Sequence, residues 1–374
     1  MKRLHKLRRN YITPSLRGRV GLGLFICLIL CGCITEYEAT GIDELGDILV
    51  VEGIITDDET TITLSKSMTL TGVEDYSYSY WINNAKVSVE DDVGMQWHAS
   101  FIYNGQYTIM MGQLNPDRKY SLKIEIDGYH YESDPSHPIQ TPEIDSVFWM
   151  KRDKGQPVTV HVTTHSPDNK VLYYRWSYQE DWETQAEYWV EDYPFYCWNK
   201  AINRNLLLGS AEKTVFGKIT DILTEMPPSS RKLSELYRID VKQNAISKRA
   251  YDYFANIKKN SQQTGSIFAP VPSELRGNIT CTTDPSRPVI GYIDISATTK
   301  KRRYIPRSEG AYESTGINWE CQILTGAELI ELEGEISPEW VLFDRWANPP
   351  TYIKERCVDC TYYDTTEKPD DWPR

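Results

Sequence analysis

The sequence predicts a mainly β protein. It starts with an N-terminal Ig-like or transthyretin-like β-sandwich. A second β-rich domain follows, with one amphipathic helix and a disulfide-fastened C-terminal tail. Three observations predict this. Short runs of alternating apolar and polar residues recur at near-regular spacing, as in antiparallel sandwiches. Tyr and Trp are abundant, at 25 and 11 residues. They suit sheet cores and cross-strand pairs, or a binding surface rich in these rings. Helical periodicity is clear in one stretch, near 246–263.

In chain order, the first element is a leader, residues 1–32. Lys2, Arg3, Lys6, Arg8, Arg9, Arg17 and Arg19 precede an apolar run from Val20 to Leu30, with no acid among them. This is the charged, apolar and small-residue order of a secretory signal. The apolar run is short of the roughly 20 residues that span a bilayer. Leu30-Cys31-Gly32-Cys33 has the form of a bacterial lipobox, which places cleavage before Cys33 and lipid on Cys33. An ordinary cleaved signal or a single N-terminal anchor is the plainer alternative. Acyl chains contribute about 0.8 kcal/mol per buried CH₂, so several on one cysteine anchor durably. Residues 33–46 are polar and acidic and are expected to form a tether.

The leader holds seven of the 41 basic residues and none of the 53 acids. The remainder therefore carries 34 basic against 53 acidic residues, a net charge of −19. That charge argues against nucleic-acid backbones and against lying flat on anionic lipid.

The first sandwich is expected over 47–142. Asp47 to Ile55 is β-branched, Thr60 to Leu64 alternates, and Asp57-Asp58-Glu59 turns between them. Ala85 to Glu90, Met95 to His98, Tyr107 to Met110 and Tyr120 to Ile126 continue the rhythm. Tyr76, Tyr78, Tyr80 and Trp81 interrupt it, as a packed loop or a contact surface. Pro135, Pro138 and Pro142 mark the boundary with the second domain, 143–374. There, Asp145 to Met150, Val158 to Thr164, Tyr173 to Tyr178 and Leu236 to Gln243 read as strands. Val289 to Ser296 reads as another, with Arg302 to Ile305 as its partner after a tight turn. Ile246, Ala250, Tyr253, Phe254 and Ile257 share one helical face. Asn244 or Ser247 can cap that helix and Gly265 can end it.

Five cysteines follow Cys33. Cys197 sits in Tyr196-Cys197-Trp198, a setting typical of a buried free thiol. Cys281 and Cys321 are each expected to bond one of Cys357 and Cys360 and so fasten the tail. A zinc half-site or redox pair at Cys357-x-x-Cys360 is less in keeping with an exported chain. His161 and His165 have a helical metal spacing, but a strand would hold them roughly 13 Å apart. No metal or cofactor is expected. Glu180, Asp181 and Glu183 include the acid types of glycoside cleavage but lack a partner motif. Asp145-Ser146-Val147 and Asp364-Thr365-Thr366 fit a short acceptor pattern for O-glycosylation.

Several runs are distinctive together: Tyr237 to Gln243, Ser247 to Tyr253, Gly265 to Phe268, Pro272 to Cys281, and Val289-Ile290-Gly291-Tyr292. Arg175-Trp176, Asp181-Trp182-Glu183, Tyr196-Cys197-Trp198 and Cys357-Val358-Asp359-Cys360 accompany them. Their pattern resembles a Bacteroidota outer-membrane lipoprotein family catalogued as domain of unknown function 4249. The likeness covers nearly the whole chain after the leader. It departs at Lys368-Pro369-Asp370-Asp371-Trp372, where the family usually carries a Gly-rich segment and Pro-Asp-Phe-Trp. The resemblance implies no established activity. It implies a TonB-dependent outer-membrane transporter as partner, because the family's genes typically lie beside such transporters. Glu36 and Glu38 resemble export signals of surface lipoproteins in the same phylum, which favours the cell surface over a periplasm-facing position.

The expected function is thus accessory ligand capture by a surface-anchored outer-membrane lipoprotein, without catalysis. The alternative is a structural or adhesive, fimbria-like surface lipoprotein. An enzyme is a third and remoter possibility. The ligand itself is not written in the sequence.

Overall fold

Alternation in the first hundred described residues builds two sheets that share one core. The computed structural model describes residues 48–67, 80–263, 277–314 and 321–373. The expectations for the leader, Cys33, the 33–46 tether, Tyr76, Tyr78, Gly265 and the Pro272–Arg276 run lie outside those residues.

The strands of the first part are β1 (Leu49–Gly53), β2 (Ile55–Thr56), β3 (Glu59–Lys66), β4 (Lys86–Asp91) and β5 (Gln96–His98). β6 (Ser100–Phe101), β7 (Gln106–Met110), β8 (Tyr120–Ile126) and β9 (Tyr129–Ser133) complete it. Ile62, Leu64, Val87, Val89, Leu122 and Ile124 fall at alternate positions and all face one core. Apolar side chains facing inward on both sheets are what a sandwich requires.

The second part contains β10 (Ile144–Met150), β11 (Val158–Thr164), β12 (Tyr173–Gln185), β13 (Tyr196–Ile202), β14 (Leu207–Ser210), β15 (Ile219–Met226) and β16 (Leu236–Ala245). Next come α1 (Lys248–Gln263), β17 (Ile279–Cys281), β18 (Val289–Gly291), β19 (Ile295–Ser296) and β20 (Thr298–Pro306). A small C-terminal module holds β21 (Leu324–Thr325), α2 (Gly326–Glu333), β22 (Trp340–Asp344) and β23 (Thr351–Lys354).

The first sandwich pairs a sheet ordered β18-β1-β3-β7-β6 with one ordered β17-β9-β8-β4-β5. The second packs β10-β11-β15 against β13-β12-β16-β20, around Val160, Val162, Trp176, Tyr237 and Ile239. The mainly β, sandwich-type fold expected from the sequence is what the chain forms.

The order of the chain is less simple than expected. β17, β18 and β19 leave the second part and join the first, with β18 parallel to β1 and β19 parallel to β2. The first core therefore includes Ile279, Cys281, Ile293 and Ile295. Contacts hold Asp47–Arg374 together as one unit. Residues 289–296 form two short strands rather than one. The segment expected to pair with them, now within β20, pairs with β16 instead.

The distinctive runs act at this crossing. A Cβ on Gly277 would run into the Gly291 carbonyl oxygen, so two backbones meet there that only glycine permits. Asn278 brackets Ile293, donating from Nδ2 to its carbonyl at 2.7 Å and accepting from its amide at 2.8 Å. Gln243 receives the Trp176 indole N–H at 2.8 Å and donates to the Pro142 carbonyl at 2.8 Å. Ser247 caps α1 by accepting from the Ala250 amide at 3.1 Å. The expected inward face of α1 is observed, with Ala250 and Tyr253 packed on Tyr173 and Tyr292.

Candidate functional site

β12 organises the candidate site. Its even residues, Tyr174, Trp176, Tyr178 and Trp182, face the second core. Successive side chains on a strand point to opposite faces. Arg175, Ser177, Gln179, Asp181 and Glu183 therefore share the other face. That face has an open end and a closed end.

At the open end lies a cleft of about 280 Å³, walled by β1, β18, β12, the 203–206 loop and α1. Arg175 stands in it, its guanidinium over the Phe254 ring at 5.0 Å from the centroid. The guanidinium makes no hydrogen bond or ion pair within 4 Å among the described residues. Burial pushes its pKa down from the usual arginine range, and the charge of Glu52 opposes that. The group stays cationic, as arginine does in proteins.

Tyr253 lines the same cleft. Its hydroxyl is buried against the Gly291 backbone without a hydrogen bond of ordinary geometry. Burial pushes its pKa up. Arg204 is exposed at the rim. Glu52 is the one acid among the lining residues.

At the closed end the acids singled out in the sequence are all committed. Asp181 receives Nη2 of Arg238 at 2.9 Å, both side chains being at most 4% exposed. Glu183 receives the indole N–H of Trp372 at 2.7 Å. Glu180 points into the core side, between the Tyr237 hydroxyl at 2.7 Å and Lys232 at 2.7 Å. Burial, then the charge of Glu180, holds the Tyr237 hydroxyl well above the usual tyrosine range. Glu180 and Asp181 thus lie on opposite faces, while Asp181 is ion-paired and Glu183 is hydrogen-bonded within the fold. These three do not present the free pair of carboxyls that flanks a scissile glycosidic bond.

The C-terminal tail supplies this closure. Asp371 joins Arg238 at 2.6 Å and Arg302 at 2.5 Å, and Arg302 in turn holds Asp240 at 2.6 Å. Trp372 lies under the Arg238 guanidinium at 5.2 Å. Asp364 accepts from the Thr184 hydroxyl at 2.6 Å and from Asn199 at 3.0 Å. A second cavity of about 320 Å³ lies beside this tail, with Asp181 and Arg238 in its wall already paired to one another.

The cysteine expectation holds for Cys321, which bonds Cys357, and needs correction for Cys281 and for Cys197 as a free thiol. Cys197 bonds Cys360, and Cys321 bonds Cys357, while Cys281 is a buried free thiol. Cys281 lies on β17, which crosses into the first sandwich and pairs with β9, so its place late in the sequence does not bring it to the tail. Cys197 lies on β13 against Ala186 and Cys360. A buried aromatic setting suits a half-cystine as well as a thiol. With each cysteine of Cys357-x-x-Cys360 in a separate bridge, that pair is neither a zinc half-site nor a redox pair in this state.

The histidines are also separately engaged. His161 stacks on Phe148 at 5.2 Å and contacts the Thr159 hydroxyl at 2.8 Å. Burial lowers its pKa, against the charge of Asp221. His165 pairs with Asp145 at 2.8 Å. Among the described residues no cluster of three or more His, Cys, Asp or Glu has the arrangement of a metal site. Of the two acceptor patterns, Ser146 lies in the β10–β11 ladder opposite Thr163, and exposed Thr365 pairs its backbone with Trp198.

Sequence reasoning placed Tyr253 and Phe254 on a packing face and named Arg175 only as part of a pattern. The available signal was a cation inside the aromatic run Tyr173-Tyr174-Arg175-Trp176. Its alternate position sends it to the face opposite the core.

A family profile described as "Domain of unknown function (DUF4249)" matches residues 34–302. None of the curated proteins matches the chain. A solved structure from Bacteroides uniformis ATCC 8492, provisionally described as a carbohydrate-binding protein, is 12% identical, covering 54% of this chain and 91% of that one. The TM-score is 0.15; a likeness that slight assigns nothing to this chain.

Proposed function

The chain belongs to the family described as Domain of unknown function (DUF4249), and from that premise we propose that it is a capture protein. It is held at the outer membrane by lipid on Cys33, exposed at the cell surface, and passes a small ligand to a TonB-dependent transporter. It binds and does not turn over its ligand. One observation carries this reading. The cleft beside α1 keeps the Arg175 guanidinium without an acceptor among the described residues. The acids that suggested chemistry are bound into the fold. An uncommitted polar group in a walled cleft is what a binding site offers its ligand.

Extraction in mild detergent tests it. A stoichiometric β-barrel partner should co-purify with the protein. Cys33→Ser should shift the protein from the membrane to the soluble fraction and lose the partner. Wild-type membrane retention of that variant, without acyl mass on the mature N-terminus, would defeat the anchor. Recovery of self-polymers in place of a barrel would favour the fimbria-like alternative.

A further inference from the structure

Resting on that capture reading, we infer that the cleft takes a small carboxylate ligand, gripped by Arg175, with the ligand's apolar body against Phe254, Ile257 and Leu206. The lining of the cleft has two arginines, Arg175 and Arg204, against one acid, Glu52. This is the reverse of the chain after the leader, where acids outnumber bases by 19. A cationic cleft in an acidic protein concentrates anions at that point.

The state of Arg175 is specific. At the closed end of the same face, Arg238 on β16, opposite Asp181, is saturated by Asp181, Asp240 and Asp371. Arg175 has an aromatic ring against one face and no acceptor among the described residues. A guanidinium stacked in this way still has its in-plane fork of N–H donors, which matches a carboxylate bidentately. The fold bears the cost of partly burying that cation without a partner. A ligand anion would remove the cost, whereas a neutral ligand would not.

The Tyr253 ring adds apolar surface on the α1 wall, its hydroxyl being buried against the Gly291 backbone. Asn203 and Asn205 in the loop offer amides to a polar substituent. At about 280 Å³ the space suits a molecule of amino-acid or sugar-acid size. Larger ligands occupy pockets toward ~1,000 Å³.

The test uses the mature chain and thermal melting with matched pairs. These are glucuronate with glucose, benzoate with benzamide, and N-acetylphenylalanine with its amide. At least one acid should raise the melting temperature several degrees more than its neutral partner. Arg175→Met should abolish that difference while melting no lower than wild type in the absence of ligand. Arg175→Lys, which keeps the charge but loses the fork, should bind the active acid at least about tenfold more weakly. Glu52→Gln should bind it more tightly.

Equal shifts by acids and neutral partners, unchanged in Arg175→Met, would overturn the carboxylate assignment and leave capture standing. No shift by any acid, with the barrel partner still co-purifying, would overturn the assignment alone. Loss of both would remove the capture reading as well. An Arg175→Met variant that melts well below wild type without ligand would make Arg175 structural and overturn the inference.

Discussion

Arg175 and Asp181 sit six residues apart on one strand and one face, yet their situations are opposite. Asp181 is at the closed end, where Arg238 meets it and the C-terminal tail covers both. Arg175 is at the open end, with Phe254 as its only described side-chain partner. The difference is what the rest of the chain delivers to each position. A charge that meets its counter-ion within the fold is part of the framework. A charge held in a cleft without one is available to something else.

The largest expected effect lies at the closed end. Among the described residues, Arg238→Met leaves buried Asp181 with only the Gln179 amide donating to it, at 3.1 and 3.2 Å. Removing one partner of a buried pair typically costs about 3–5 kcal/mol. The urea midpoint should fall accordingly, while Arg175→Met, the same change at the open end, should leave it unmoved or higher. Equal losses in the two variants would erase the contrast between the ends.

Part of this contrast was legible in the sequence. Alternation located most of the strands, because each strand buries one face locally. The 3.6-residue period located α1 for the same reason. The crowded acids Glu180, Asp181 and Glu183 also stood out, but their partners did not. Arg238 lies 57 residues beyond Asp181, and Trp372 lies 189 beyond Glu183. No local pattern records such a meeting. The crossing of β17 into the first sandwich misled in the same way and cost Cys281 its expected bridge.

One local signal is written in the sequence itself. Thr325 and Glu328 form a capping box at the start of α2, with the Glu328 amide donating to the Thr325 hydroxyl at 3.3 Å. The Thr-x-x-Glu spacing states this directly. Its eight-residue helix was too short to show a period. The packing of the family runs is likewise long-range. Gly277 makes sense only once Gly291 is beside it.

A smaller effect should separate the tail's two contributions. Trp372→Phe keeps a ring near Arg238 and Tyr304 but deletes the indole N–H donated to Glu183. A hydrogen bond to a charged group contributes about 1.5–3 kcal/mol, so a loss near the lower figure is expected. Denaturant titration measures it. A loss as large as that of Arg238→Met would mean that the indole, rather than the ion pairs, closes this end.

The smallest effect is expected at Asp371, whose side chain is 53% exposed. Hydrogen bonds from Arg238 and then Arg302 hold its pKa down at about 2, against an ordinary value of 3.8. An acid depressed by folding stabilises the native state above its unfolded pKa. That contribution is present above pH 3.8 and is lost as pH falls through about 2. Solvent screens a group this exposed, so the change should be modest. Asp58 also has a pKa of about 2, where Lys300 and Lys242 outweigh its burial, so acid should weaken the protein even without Asp371. Asp371→Asn should therefore flatten the fall of the urea midpoint between pH 4 and pH 2 only in part. It should also lower the midpoint at neutral pH, since Arg238 and Arg302 lose a shared carboxylate. An unchanged acid slope with an unchanged neutral midpoint would show that the tail closes over β12 through Trp372 and the Cys197–Cys360 bridge alone. The charge ladder on that face would then close among Asp181, Arg238, Asp240 and Arg302, without the tail.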